Sequence, residues 1–452
     1  MTPFYRRPIR LKTVLIVLLT PLMLAGVPAL LWLAWNARPV NVTREYGITT
    51  PAVPSPNAYD IYKQSYDTFR SPRPGRAPSL LLDYQAAPGS VDDKKKYPLA
   101  GKIAWVKHNE KAYALFDKAL KTPYLLPPVR SAQPGGELSG PFFLRYLARN
   151  ITVECEALAE QGQHERAVNR ALDIWKMGLD AGHGAYLVAA LQAMAVEGIA
   201  RRALDGEIAH LNAKEAARAA RRWEKIAATR VAYKDVLLEE RNSFLFQIKP
   251  GMENAIRDIR RSKEIEAAVE RGETNFHSDS GPAPEINSPV LYWAVRKKAN
   301  SFVSGIEPLL KNSEAPWTKR QITLPPGLEP TMASMVDVLG KSRFNFARME
   351  AFSQITLARL GLHAYRKDKG VYPPTLDALV PAYLTKAPFD PFTENQTLRY
   401  ARQGRRYKLW SVGPDARDDG GRPVMDAAAK TAKARYMVTA EATGDIVANI
   451  SR

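Results

Sequence analysis

Three segments decide how the C-terminal part of this chain is read. They are Tyr372-Pro-Pro-Thr-Leu-Asp-Ala-Leu-Val-Pro-Ala-Tyr-Leu384, Ala387-Pro-Phe-Asp-Pro-Phe-Thr393 and Tyr407-Lys-Leu-Trp-Ser-Val-Gly-Pro-Asp415. Asp390-Pro391 is a turn signal, as is Gly444-Asp445 further on. Immediately upstream, Thr331 to Lys369 reads as one long helix. Met335, Leu339, Phe344, Phe346, Met349, Phe352, Ile355, Leu357, Leu360 and Leu362 supply its apolar contacts.

This order resembles the globular head of the major pseudopilin of bacterial type II secretion. That family follows a long helix with a Y-P-x-x-L-x-x-L run, a D-P-[FW] turn and a Y-x-L-x-S-x-G-x-D strand leading into an acidic loop. The matching residues are Tyr372, Pro373, Leu376, Leu379, Asp390, Pro391, Phe392, Tyr407, Leu409, Ser411, Gly413 and Asp415. The likeness covers residues 335–426. It implies a long helix laid across an antiparallel sheet, with strands near 397–401, 406–412, 434–440 and 445–450. It also implies a calcium ion in the acidic loop, held by Ser411, Asp415 and Asp426, with Asp418 and Asp419 as extra carboxylates. A hard cation wants six to eight oxygens, and clustered aspartates around Gly420-Gly421 supply them; the alternative is a solvated acidic turn. Where the family has a glycine after its aspartate, this chain has Ala416.

The N-terminus differs from that family. Thr13 to Trp35 is a run of 23 residues without a charge. At 1.5 Å per residue it spans a hydrocarbon core of about 30 Å. Arg6, Arg7, Arg10 and Lys12 precede it, and Trp32 and Trp35 close it. This predicts a single-pass inner-membrane anchor with the bulk of the chain in the periplasm or outside. A signal peptide cut after Ala29 or Ala37 competes with that reading, although the run exceeds a usual signal core. The pseudopilin peptidase site and its glutamate are missing, so the head sits on a non-polymerising carrier.

The 452-residue chain has 65 Lys and Arg against 46 Asp and Glu, a net charge of +19. An acidic polymer, a membrane surface or simply a solvated surface accounts for that excess. Nucleic acid is not favoured. Cys155 is the sole cysteine, so no intrachain disulfide forms.

The central region is helical. Leu144, Leu147, Ile151, Cys155 and Leu158 form one stripe; Val168, Leu172, Trp175 and Leu179 a second; Leu187, Leu191, Met194 and Ile199 a third. Asn212 and Glu215 have capping-box spacing. Lys102 to Lys121 reads as one helix. The fold class is therefore α+β: a transmembrane helix, a mainly helical centre and a pseudopilin-like end. The expected divisions are a basic cytoplasmic tail (1–12), an anchor (13–35), a Pro-rich linker (36–56), a helical domain (57–310), a second Pro-rich linker (311–330) and the pseudopilin-like domain (331–452).

No catalytic constellation stands out. His108, His164, His183, His210, His277 and His363 are scattered, and Glu239-Glu240-Arg241 reads as a charged helix face. The expected function is non-enzymatic: a membrane-anchored envelope scaffold or docking protein, beside secretion or pilus-like envelope proteins. Binding an acidic envelope polymer or lipid head groups is the alternative. An uncharacterised hydrolase in the helical region comes third, and a pocket holding Glu239 or His183 would favour it.

Overall fold

A computed structural model describes residues 27–70, 98–130, 141–270, 288–319, 322–394, 396–425, 429, 431, 435–448 and 450. The architecture is α+β, mostly helical with one small antiparallel sheet. Two compact units make up the chain, and neither is contiguous in sequence. The first comprises Met1–Thr50, Val129–Gly136 and Phe244–Val303; the second comprises Pro51–Pro128, Glu137–Ser243 and Ser304–Arg452.

The first unit contains helix α1 (residues 27–36) and helix α2 (Val42–Glu45). Its small core gathers Ile48, Leu245, Ile248, Leu291, Val295 and Ala299. Most of the expected anchor, residues 13–26, lies outside the described residues. Among the described residues no helix is long and apolar enough to cross a membrane.

The second unit is built around helices. In chain order they are α3 (Ala58–Thr68), α4 (Leu99–His108), α5 (Glu110–Ala119), α6 (Phe143–Glu160), α7 (His164–Asp180), α8 (Leu187–Asp205) and α9 (Ala213–Ala227). Helix α10 (Tyr233–Glu270) and helix α11 (Pro289–Asn312) each contribute one end to it. Helix α12 (Pro330–Lys369) belongs to it entirely. The first two apolar stripes are buried along their length, because three-and-four spacing puts them on one face. The third is different: Leu191 is exposed, and small residues (Ala189, Ala190, Ala193, Ala200) form the contact of α8 with its neighbours. Asn212 and Glu215 make the full reciprocal capping box that starts α9.

The expected single helix over 102–121 is two helices. The break falls at Asn109, whose buried side chain accepts the Arg70 N–H at 2.8 Å and donates to the Arg70 carbonyl at 3.1 Å. A tertiary clamp of this kind outweighs the local helical preference. Helix α8 begins at Tyr186 without a local side-chain cap. The Glu240 carboxylate supplies one instead, accepting the Leu187 N–H at 2.7 Å.

One core runs from the α3–α9 helices through α12 to the sheet. Trp175 and Trp223 meet at 4.0 Å, and the Trp175 indole donates to Glu197 at 2.9 Å. Arg230 joins Glu197, at 2.6 Å, to Glu350 of α12, at 2.8 Å. Helix α12 is a shared layer. The Trp223 indole donates to its Ser353 carbonyl, and Arg359 pairs with Asp205. Elsewhere along its length α12 packs on the short turn Leu376–Leu379 and on the sheet.

The sheet has strand order β1 (Arg399–Gln403), β2 (Arg406–Ser411), β3 (Ile446–Val447), all antiparallel. Tyr400 faces Leu409, and Trp410 faces Val447. The strand expected over 434–440 does not form in residues 435–440. Val438 is buried, but its carbonyl accepts from Arg348 at 3.1 Å rather than from a neighbouring strand.

Candidate functional site

The acidic loop leaves β2 at Ser411 and is held from beneath by two buried carboxylates. Asp390, from the Asp-Pro turn, accepts the Ser411 hydroxyl at 2.7 Å, the Phe392 N–H at 3.1 Å and the Val412 N–H at 2.8 Å. Burial pushes its carboxyl up in pKa, and these three donors pull it back. Asp445 is also buried, and accepts the Asp419 N–H at 3.3 Å and the Gly421 N–H at 2.6 Å. Its pKa is pushed up to about 6, first by burial and then by the neighbouring charges of Asp418 and Asp419. The Trp317 indole donates to the Pro414 carbonyl at 2.9 Å, and its ring meets Phe392 edge-on at 5.1 Å.

The other loop carboxylates have partners within the chain. Asp415 accepts the Arg417 N–H at 3.1 Å and the Gly444 N–H at 3.2 Å. Asp418 accepts the Trp410 indole at 2.9 Å, the Gly420 N–H at 3.0 Å and Arg399 at 3.1 Å. Burial opposes its ionisation, but those donors carry its carboxyl below the ordinary range. Asp419 pairs with Arg422 at 2.8 Å, and Lys408 donates to the Gly420 carbonyl at 2.8 Å. Gly413 has φ +73°, and a Cβ there would meet the Gly444 carbonyl oxygen at 2.5 Å. Ala416 is left-handed too, at φ +59°.

Of the five expected calcium ligands, Asp415, Asp418 and Asp419 share the loop and its Gly444-Asp445 support. Ser411 is turned inward onto Asp390, and Asp426 lies outside the described residues. Among the described residues no three His, Cys, Asp or Glu side chains converge on one point. The described donor set does not by itself form a calcium shell. Sequence reading took Asp390 and Asp445 only as turn residues; their place in Asp-Pro and Gly-Asp pairs was the available signal.

The first unit carries a second feature. Helix α1 exposes Leu30 and Leu31 (66% each), Leu33 (54%) and both tryptophans. Trp32 meets Trp293 edge-on at 6.5 Å, and Val290 beside it is 72% exposed. Arg296 stacks over Trp35 at 5.4 Å, pairs with Glu45 at 2.8 Å and donates to the Arg38 carbonyl at 3.1 Å. Lys297 lies over Trp293 at 5.2 Å. These contacts hold α1 to the rest of the unit.

Two adjoining cavities of about 340 and 310 Å³ flank Trp317, Tyr233 and Arg343. Neither is lined by Glu239 or His183. His183 lies in a turn, where its N–H donates to the Asp180 carbonyl. Glu239 accepts from Ser243 at 3.1 Å. His164 bonds Glu207 at 2.7 Å and stacks on His210, while His363 bonds the Leu211 carbonyl; His277 lies outside the described residues. Cys155 is buried, which pushes its thiol up and away from reactivity. The chain matches no family model, no curated protein and no solved structure.

Proposed function

We propose that this chain is a membrane-anchored scaffold or docking protein of the bacterial envelope, held by its N-terminal helix and presenting its helical body and pseudopilin-like end outside the cytoplasm. Helix α1 carries this reading. A helix that is apolar all round belongs in a protein core or in lipid, and α1 turns Leu30, Leu31, Leu33 and both tryptophans outward. It continues the uncharged run that begins at Thr13. The Trp35, Trp293, Arg296 and Lys297 collar has the aromatic and cationic character of an interfacial belt. Secretion or pilus-like envelope proteins are the proposed partners. The test is fractionation of cells expressing the full chain with a reporter, active only outside the cytoplasm, fused after Arg452. Reporter activity retained in the membrane after alkaline washing is the expected result. A soluble, shortened product would end the proposal.

Calcium at the acidic loop is a separate proposal. It requires Arg399 and Arg422 to yield Asp418 and Asp419, and it is supported by the backbone N–H of Asp419 on buried Asp445, which keeps these carboxylates close together. Ligand binding to the native state alone stabilises it by about 2.7 kcal/mol at a hundredfold excess over Kd. Calcium should therefore raise the melting temperature, and Asp415→Ala should abolish the rise. Equal melting with calcium and with chelator leaves a self-satisfied turn.

A further inference from the structure

The first half of α6 alternates aromatic rings with arginines along one stripe. Phe142 precedes the helix with helical backbone angles, and Arg145, Tyr146 and Arg149 follow it at helical spacing. The stripe lies opposite the buried one that Leu144, Leu147 and Ile151 form. Phe142 and Tyr146 are 41% and 45% exposed. Helix α3 extends this ring surface sideways. Tyr66 meets Tyr146 at 6.3 Å and Phe143 at 6.0 Å, and Phe143 meets Tyr59 at 5.6 Å. Every one of these residues belongs to the second unit.

The two arginines are uncompensated. Among the described residues neither guanidinium has an ion pair or a hydrogen bond, and the Arg145 Nε is buried without a partner. Buried polar groups are normally satisfied. Further along α6, Glu156 and Glu160 are both taken by Lys102, at 2.6 and 2.8 Å. Cations are disfavoured near a helix N-terminus, and α6 has no acid in its first turn to offset them. Like charges four residues apart on a helix also repel. Consistently, Arg149 is held below its ordinary pKa, by burial first and then by Arg145. This arrangement weakens the free helix, and a carboxylate-bearing partner would relieve it.

Resting on the docking half of the proposed function and not on its membrane half, we infer that this α6–α3 face docks an acidic segment of a partner protein. Protein interfaces are enriched in aromatic residues and arginine and depleted in lysine and acids, as this stripe is. The rings meet one another at 38–76°, edge-on or tilted. They make an uneven apolar surface that side chains can fill, rather than parallel platforms for stacked bases. Arg145 and Arg149 supply two guanidinium forks one helical turn apart, each matched to a carboxylate. The segment that fits therefore carries Asp or Glu on either side of an apolar or aromatic residue.

The test uses the full chain in detergent. A fluorescent random copolymer of glutamate and tyrosine is titrated by anisotropy, beside polyglutamate, polygalacturonate and oligothymidylate at one ionic strength. The copolymer should bind, and more tightly than the other three. Arg145→Glu and Arg149→Glu should each weaken that binding by roughly tenfold or more. Tyr146→Ala should weaken it too. Neither charge reversal should melt lower than the parent, because each turns a like-charge pair into an opposite-charge one. Absence of copolymer binding overturns the assignment. So does binding that survives both reversals, which would be general attraction to a chain of net charge +19. Polygalacturonate or oligothymidylate binding as tightly, and lost in the same variants, gives the face to a glycan or a nucleic acid instead. Self-association of the parent that both reversals abolish gives it to a second copy of the chain. Should the reversals fail to fold, Arg145→Gln and Arg149→Gln take their place, and undiminished affinity in both overturns the docking face equally. Loss of membrane retention in the fractionation experiment would leave these binding results unchanged, so the two failures are distinct.

Discussion

Asp445 sets a pH dependence that can be read at a single residue. Its carboxyl keeps its proton to about pH 6 in the folded protein, against an ordinary value of 3.8. Between those values the folded state binds more protons than the unfolded one, so stability falls as pH rises through that window. Below about 3.8 the group contributes nothing, and above about 6 the full penalty is present. Asp445→Asn should flatten the decline between pH 4 and 6 in melts of the full chain; an unchanged slope would show that another acid carries it. Ala416 makes a second prediction. A left-handed alanine costs about 1–2 kcal/mol, and glycine returns about 0.5–1 of that through chain entropy. Ala416→Gly should therefore stabilise by about 0.5 kcal/mol, seen as a higher denaturant midpoint at constant slope. The sequence showed this position as alanine where the resembling family has glycine. The left-handed backbone that makes it matter was visible only in the structure. Asp390 and Asp445 were under-read for a related reason: turn chemistry names the residue type, while burial beneath the acidic loop decides the role.

At the scale of elements, periodic signals were legible and tertiary ones were not. The α6 and α7 stripes and the α9 capping box depend on spacing alone, and each appears where the spacing puts it. The break at Asn109 depends on Arg70, which is distant in sequence. Within residues 435–440, where a strand was expected, Val438 gives its carbonyl to Arg348. Trp317 was passed over because it sits among prolines in what reads as a linker. Its one-turn helix, Trp317–Lys319, is instead a strut between the acidic loop and the Asp-Pro turn. Trp317→Ala should cost about 3–5 kcal/mol, the range for emptying a buried aromatic site. Trp317→Phe keeps the ring and loses the bond to Pro414, and should cost about 1 kcal/mol. Chemical denaturation of both variants separates packing from hydrogen bonding, and equal losses would refute that separation.

Across the whole molecule, α12 belongs to two neighbours at once. Trp223, Asp205 and Arg230 hold it to the helices, while Leu379, Leu384 and the strands use other faces. Residues 331–452 expressed alone would leave Phe352 without Arg201, the Ser353 carbonyl without Trp223 and Arg359 without Asp205. That fragment should show no cooperative thermal transition, whereas residues 51–452, lacking only the N-terminal segment, should. A sharp transition in the shorter fragment would show that the sheet and α12 suffice. The tertiary cap on α8 bears on synthesis. Leu187 leaves the ribosome more than fifty residues before Glu240. Until that glutamate emerges, the first turn of α8 keeps an open amide that only water can serve. Folding of a nascent chain proceeds from its N-terminus as residues appear, so α6 and α7 can pair early while α8 frays at its start. A translational pause placed between these two positions would lengthen the life of that half-capped intermediate. Synonymous codon choice over residues 190–240 thereby becomes a variable in the yield of folded protein.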